Sequence, residues 1–144
     1  MCGVGCGVNI DCEGNPCPCA GPGQTPSTTT PDACTHTDRV VVVAISKTRY
    51  PAILHHIRVA IRAGWPRVLT IHREGADRRR DRALAGIPTR PGMDRDEWPM
   101  AFARRSWRTH VAYVPSAQNR GSGASIALKM RRYCDGTRFR VIGY

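Results

Sequence analysis

The hydrophobic pattern of the chain changes at Arg39, after which short apolar runs alternate with amphipathic stretches. The run "RVVVVAI" (Arg39–Ile45) is continuous, apolar and β-branched, which predicts a buried strand. The next stretch, "YPAILHHIRVAIRAGWP", predicts a helix with Pro51 in its first turn and Gly64 at its end. Its apolar face is formed by residues at helical spacing: Ile53, Leu54, Ile57 and Ile61.

The remaining pattern predicts three further strands and two helices. "RVLTI" (Arg67–Ile71) and "THVAYV" (Thr109–Val114) are typical of buried strands, and "GADRRRDRALAG" of a short charged helix that ends at Gly86. "QNRGSG" is interpreted as a turn. After it, Ile126, Met130 and Tyr133 share one helical face, and Thr137, Phe139 and Val141 alternate with arginines in a closing strand. The prediction for residues 39–144 is therefore a small α/β domain of the α+β type, with a mixed sheet and flanking helices.

Residues 1–38 have a different composition and predict an irregular leader. The stretch "GNPCPCAGPGQTPSTTTPDAC" is rich in Gly, Pro and Thr and has almost no large apolar side chains, so it cannot bury a core. The first ten residues have neither a basic region nor a continuous apolar one, so no signal peptide is predicted. No apolar run in the chain approaches the ~20 residues that a membrane span needs.

The leader also carries six of the seven cysteines. Their spacings match no zinc-ribbon or zinc-finger pattern. Disulfides, a metal-bound knot and free thiols all remain open for them. The seventh, Cys134, is interpreted as a small half-buried residue of the main domain.

Charge divides the chain in the same place. The net charge is +11, but residues 1–38 have no Lys or Arg and four acids, which gives −4. Residues 39–144 hold all 22 basic residues and the other seven acids, so 22 − 7 = +15. Such a positive domain attracts polyanions, which makes nucleic acid the leading partner and an anionic membrane surface the second. A GC-rich genome would also give an arginine-rich protein.

Three carboxylates nevertheless lie close together in "MDRDEWPM". Close acids repel one another unless a cation or a proton joins them. In a structural interpretation, Asp96 caps a helix whose Trp98 and Phe102 form a core pair. In a functional one, Asp96 is the main ligand of a Mg²⁺ ion, and Glu97 is a second ligand or the base that activates water.

A second candidate motif is "PSAQNRGSG", which follows a strand and opens a helix. Asn119 offers an amide oxygen that can complete a metal shell or orient a water, and Arg120 can hold a phosphate with two hydrogen bonds. The alternative is a tight loop with a surface arginine. His72, directly after a strand, is the reserve candidate for a general base, although such a histidine is more often structural. Three other histidines rank lower: His55, His56 and His110.

Together these stretches resemble a known family. The succession "TIHREGADRRRDRALAGIPTRPGMDRDEWPMA", "VAYVPSAQNRGSG" and "YCDGTRFRV" is similar to the NucA/NucB family of bacterial deoxyribonucleases, from about Arg39 to the C-terminus. The resemblance implies a small, secreted, monomeric endonuclease that cuts DNA without sequence preference and needs a divalent metal ion, Mg²⁺ or Mn²⁺. It further implies that Asp96 and Glu97 form the acidic pair and that Asn119 and Arg120 form the partner motif. DNA is the implied partner, without a membrane, and an inhibitor or immunity protein is a further candidate.

The chain departs from the family pattern at several positions. His72 stands where the family commonly has Asp, and Val68 and Ala103 stand where members often carry two cysteines. These departures favour the alternative function, a catalytically inactive nucleic-acid-binding protein on the same fold. For either function, phosphate contacts are expected from a set of arginines: Arg73, Arg78, Arg79, Arg104, Arg105 and Arg120.

Overall fold

The computed structural model describes residues 33–104 and 108–144, and for Arg104 the backbone alone. The predicted leader falls mostly on residues 1–32, outside the described residues. Cys34–Tyr144 forms one compact unit. Its elements, in chain order, are β1 (Val41–Ile45), α1 (Pro51–Arg62), β2 (Leu69–Ile71), α2 (Ala76–Leu84), β3 (Met93–Trp98), β4 (Ala103–Arg104), β5 (His110–Pro115), α3 (Ser116–Met130) and β6 (Arg138–Gly143).

The main sheet has four strands in the order β1-β6-β2-β4. β6 runs parallel to β1 and antiparallel to β2, and β2 is antiparallel to β4. In β6, Phe139 and Val141 are buried while Arg138 and Arg140 are exposed, as the alternation predicts. The predicted fold class, a small α+β domain with a mixed sheet and flanking helices, is confirmed.

A separate two-stranded sheet positions the acidic motif. β3 pairs antiparallel with β5, from Met93 opposite Pro115 to Trp98 opposite His110. The helix that would begin at Asp96 is therefore wrong, and so is the helical pair of Trp98 and Phe102. The Trp98 indole is buried and donates to the Pro66 carbonyl at 2.9 Å, and Phe102 stacks on Phe139.

The interpretation of "QNRGSG" as a turn is also corrected, because α3 begins at Ser116 and runs through it. Asn119 and Arg120 are consequently helical residues in the first turns of α3. Gly121 is required there, since a Cβ on it would lie 2.9 Å from the Tyr50 ring. The close approach of Tyr50 explains a glycine in a helix where propensity disfavours one.

A disulfide joins Cys34 to Cys134, with 5.0 Å between their Cα atoms. It corrects the interpretation of Cys134 as an isolated small residue. Beside the bridge, Thr35 N donates to Arg132 O at 2.7 Å and Cys134 N donates to Thr35 O at 3.0 Å. Residues 34–38 are thus held to the folded unit. Among the described residues, no helix is long and apolar enough to cross a membrane.

Candidate active site

A cavity of about 680 Å³ lies along one edge of β3. All six residues of β3 line it and no residue of β5 does, so it follows the edge of β3 that faces away from its strand partner. Side chains from both faces of β3 therefore line the same cavity. The opposite wall is α3, where Ser122, Gly123 and Ala124 are small and leave the space open. We call this cavity the β3–α3 cleft.

Asp94 lies at the α3 side of the cleft, where both of its carboxylate oxygens are hydrogen-bonded. Ser116 Oγ donates to Oδ1 at 2.7 Å, and Asn119 Nδ2 donates to Oδ2 at 3.2 Å. Arg120 contacts the two oxygens through Nε at 3.2 Å and a terminal nitrogen at 3.3 Å. The Ser116 hydroxyl, followed by the Arg120 guanidinium, lowers the pKa of Asp94 to about 2. Asp94 is therefore a fixed negative charge in the cleft at any pH near neutrality.

Asp96 lies two residues along the same strand and has histidine as its partner. Its Oδ2 is 2.6 Å from Nδ1 of His56, and Nε2 of His56 is 2.8 Å from Nδ1 of His110. The His56 side chain is 2% exposed, so both of its ring nitrogens are used inside the protein. Burial lowers the pKa of His110, and the neighbouring His56 lowers it further, which favours the neutral imidazole of His110. The three side chains form a hydrogen-bonded row from Asp96 through His56 to His110.

Glu97 points to the other face of β3. It is 4% exposed, and its Oε1 lies 3.8 Å from a guanidinium nitrogen of Arg80 on α2. Both residues line the cleft. A carboxylate this well buried depends on its cation, because an isolated buried charge is costly.

The structure thus brings together four of the predicted site residues in one hollow: Asp96, Glu97, Asn119 and Arg120. Asn119 uses its amide nitrogen on Asp94, which directs its amide oxygen away from that carboxylate. Arg120 is 76% exposed, so its guanidinium can exchange Asp94 for an incoming anion.

His72 is not among the residues that line the β3–α3 cleft. It lies in another hollow with Glu74, Gly75 and Arg78. Its backbone is hydrogen-bonded to Phe102. The structure therefore separates the reserve general base from the four residues that it brings together.

The other arginines that were predicted to contact phosphate differ in their partners and their exposure. Arg73 is paired with Asp135 at 2.6 Å and also donates to the Met130 carbonyl. Arg79 donates to three backbone carbonyls: those of His72, Glu74 and Ala101. The guanidinium groups of both arginines therefore bind other parts of the protein. Arg78 is exposed, whereas the side chain of Arg104 and all of Arg105 lie outside the described residues.

The donor set of the cleft fits a hard divalent cation. Mg²⁺ is held in proteins by one or two carboxylates together with waters, and oxygen is the donor it prefers. Asp94 and Asp96 lie two residues apart on β3, so their side chains share one face, and the Asn119 amide oxygen is the nearby neutral donor. Within the described ranges, three His, Cys, Asp or Glu side chains bring their ligand atoms within 4.8 Å of one another only at Cys34, His36 and Cys134, and the two cysteines there form the disulfide. An ion in the cleft would thus keep several waters.

For several residues of the site, the sequence alone gives no reason to select them as functional. Asp94 is visible as an acid, but its partners Ser116, Asn119 and Arg120 follow only if β3 and α3 are known to be adjacent. His56 occupies an apolar helix face, where a histidine is usually satisfied by the core. Arg80 is one of four arginines in a short stretch, and only the fold singles it out.

Comparison with known proteins gives one curated relative. A DNA-entry nuclease of Bacillus subtilis (strain 168) is 40% identical to this chain over 97 residues. The match covers 67% of this chain and 66% of the relative, so it spans just under two thirds of that protein's length. No family model matches the chain.

Proposed function

The chain belongs to the NucA/NucB family of nucleases, and from this premise we propose that it is a metal-dependent endonuclease that hydrolyses the phosphodiester bonds of DNA without sequence preference. The observation that carries the proposal is the β3–α3 cleft. Three carboxylates, an amide and three arginines line one open hollow in a domain of strongly positive charge. Acidic groups to hold a metal ion, inside a basic surface that holds a polyanion, are the two parts that phosphodiester hydrolysis needs.

Asp94, Asp96 and Asn119 are the residues that would hold the divalent ion, and Asp96 is oriented for this by His56. When bound, the ion supplies a Lewis acid for the phosphate and lowers the pKa of a water. Glu97 is the candidate base for the attacking water, since its burial beside Arg80 holds its carboxylate in one place.

Arg120 and Arg80 would bind the substrate at two places in the cleft. Each guanidinium faces a carboxylate from the partly exposed side of the protein, 76% exposed for Arg120 and 49% for Arg80. A phosphate can therefore reach both of them. Guanidinium groups bind phosphate with two hydrogen bonds and stabilise the charge that builds on phosphorus during attack. These contacts involve the backbone of DNA and carry no sequence information.

The proposal is tested by incubating the full chain with plasmid DNA and Mg²⁺, Mn²⁺ or Ca²⁺ in turn, with an EDTA control. We expect nicked and then linear plasmid with at least one ion, and none with EDTA. Glu97→Gln is expected to lower the cleavage rate at least 100-fold, by removal of the base, while DNA retention in a gel shift stays unchanged. Glu74→Gln, an exposed acid outside the cleft, serves as the matched control.

Retarded DNA without cleavage under any ion would instead support the inactive nucleic-acid-binding protein. Full activity of Glu97→Gln would remove Glu97 from the mechanism but leave the nuclease proposal intact. Loss of activity in Glu74→Gln as well would show that the assay responds to charge alone.

A further inference from the structure

A second cavity, of about 510 Å³, lies against α1 and has a different lining. Five basic residues line it and no acid does: Lys47, Arg58, Arg62, Arg67 and Arg140. We call it the α1 groove. Ile57 lines both the α1 groove and the β3–α3 cleft, so the two hollows meet at one core residue of α1.

The five cations come from four different parts of the fold. Lys47 follows β1, Arg58 and Arg62 stand on α1, Arg67 precedes β2 and Arg140 is on β6. Arg58 and Arg62 are four residues apart, so two like charges face each other on one side of the helix, which destabilises it. In the described part of the chain no ion pair includes any of the five. Their mutual repulsion makes the groove a favourable place for an anion.

The floor of the groove is apolar. Leu54, Ile61 and Val141 line it, and Ile142, also in the lining, is 39% exposed. No aromatic residue is among the lining residues, so the groove offers no surface on which unpaired bases could stack. A concave surface with basic walls suits the sugar–phosphate backbone of a polynucleotide, which presents phosphates in a row with less polar sugars between them.

We propose that the α1 groove is a second DNA-backbone site, separate from the cleft in which the bond is cut. The inference rests on the proposed function because that function identifies the polyanion as DNA. The charge and shape of the groove do not depend on it. The groove holds a duplex by sequence-independent contacts. It thereby raises the concentration of DNA around the neighbouring cleft, so its loss weakens substrate binding and leaves the chemical step unchanged.

The test compares two double variants of the full chain with the same change in net charge. Arg58→Gln/Arg62→Gln removes two cations from the groove, and Arg82→Gln/Arg131→Gln removes two exposed cations from α2 and the end of α3. Binding of a fluorescent 20-base-pair duplex is measured by anisotropy in EDTA, over a series of salt concentrations. For the groove variant we expect at least a ten-fold weaker affinity at low salt and a fall of about 2 in the slope of log affinity against log salt.

The control double variant is expected to lose less than two-fold. Equal losses in the two variants would overturn the proposal, because they would reduce it to an effect of net charge. Unchanged DNA affinity in the groove variant would overturn it too, and if binding to vesicles of phosphatidylcholine and phosphatidylserine were lost instead, the groove would be a membrane site. Thermal melts of both variants check that each is folded.

The outcome for the groove is distinguishable from that for the nuclease. If the wild-type chain cuts no DNA with any ion but the groove variant still loses DNA affinity, the second site stands and the proposed function fails. If the chain cuts DNA, the groove variant is expected to raise KM for plasmid at least five-fold while kcat stays within two-fold. A fall in kcat at constant KM would place the groove residues in the chemistry and overturn their assignment to a separate site.

Discussion

At the scale of single residues, two carboxylates of the same strand have different surroundings. Asp94 accepts hydrogen bonds from a hydroxyl, an amide and a guanidinium, whereas Asp96 faces a buried imidazole. Both lie on one face of β3, so an ion between them would meet one carboxylate fixed by α3 and one fixed by α1. The sequence shows the acids but not these partners, which are 22 to 40 residues away.

Asp94→Asn is expected to lower the free energy of unfolding by about 1 kcal/mol at pH 6, because charge-assisted hydrogen bonds are lost. The pKa of Asp94 is lowered on folding, so its contribution is present above the usual value of 3.8 and disappears as the pH falls to about 2. Urea unfolding of variant and wild type at pH 6 and at pH 2 measures this difference. Asp81→Asn, on the exposed part of α2, controls for net charge. A deficit of equal size at both pH values would contradict the assignment.

His56→Phe keeps a ring of similar size and removes both nitrogens. Without the hydrogen bond to Asp96 we expect DNA cleavage to fall 10- to 100-fold and the metal concentration for half activation to rise, which is the usual effect of losing a residue that orients a metal ligand. His55→Gln, next to it on the exposed side of α1, should behave as wild type. Cleavage rates over a metal titration make the comparison, and an unaltered metal requirement in His56→Phe would exclude the orienting role.

At the scale of elements, the sequence predicts those that have a simple local pattern. β1, α1, α2, β5 and β6 are found close to their predicted bounds. β1 and β5 are short apolar runs, apolar residues repeat at helical spacing in α1 and alternate with arginines in β6, and the charged helix α2 is followed by Gly86. β3 could not be predicted, because charged side chains stand on both of its faces and leave no alternation of apolar and polar residues. The start of α3 could not be predicted either, because its two glycines favour a turn unless the Tyr50 ring is known to lie against one of them.

The two glycines of α3 are expected to respond to alanine with opposite signs. Gly121→Ala would place a methyl group 2.9 Å from the Tyr50 ring and should destabilise the protein by about 1–2 kcal/mol. Gly123→Ala meets nothing within 4 Å and should stabilise the helix by about 0.5–1 kcal/mol. Denaturant unfolding of both variants provides the measurement. If Gly121→Ala were also stabilising, the contact between α3 and Tyr50 would be looser than the structure shows.

At the scale of the whole molecule, a single covalent bridge spans most of the folded unit. Cys34 and Cys134 are separated by 100 residues, and the segment between them contains every helix of the described chain. The pairing could not be predicted from the sequence, because seven cysteines allow many connectivities and only the position of Thr35 beside Tyr133 brings these two together.

Cys34→Ser/Cys134→Ser is expected to lower the free energy of unfolding by about 4 kcal/mol, since a bridge that closes so long a loop restricts the unfolded chain strongly. The double variant is preferable to a reducing agent, which is not selective for this pair, because the leader carries five further cysteines. Urea unfolding gives the value. A change below about 1 kcal/mol would mean that the two cysteines are not joined in solution.

The bridge also determines how the folded unit responds to mechanical tension. β6 lies between β1 and β2, and Cys134 stands just before it. Tension applied at residues 34 and 144 would pass through the sulfur atoms directly into β6, so only residues 134–144 could be drawn out, roughly 35 Å of extended chain. After reduction the same pull would act on all of residues 34–144 and release roughly ten times that length. The oxidised protein should therefore yield by the slipping of one central strand.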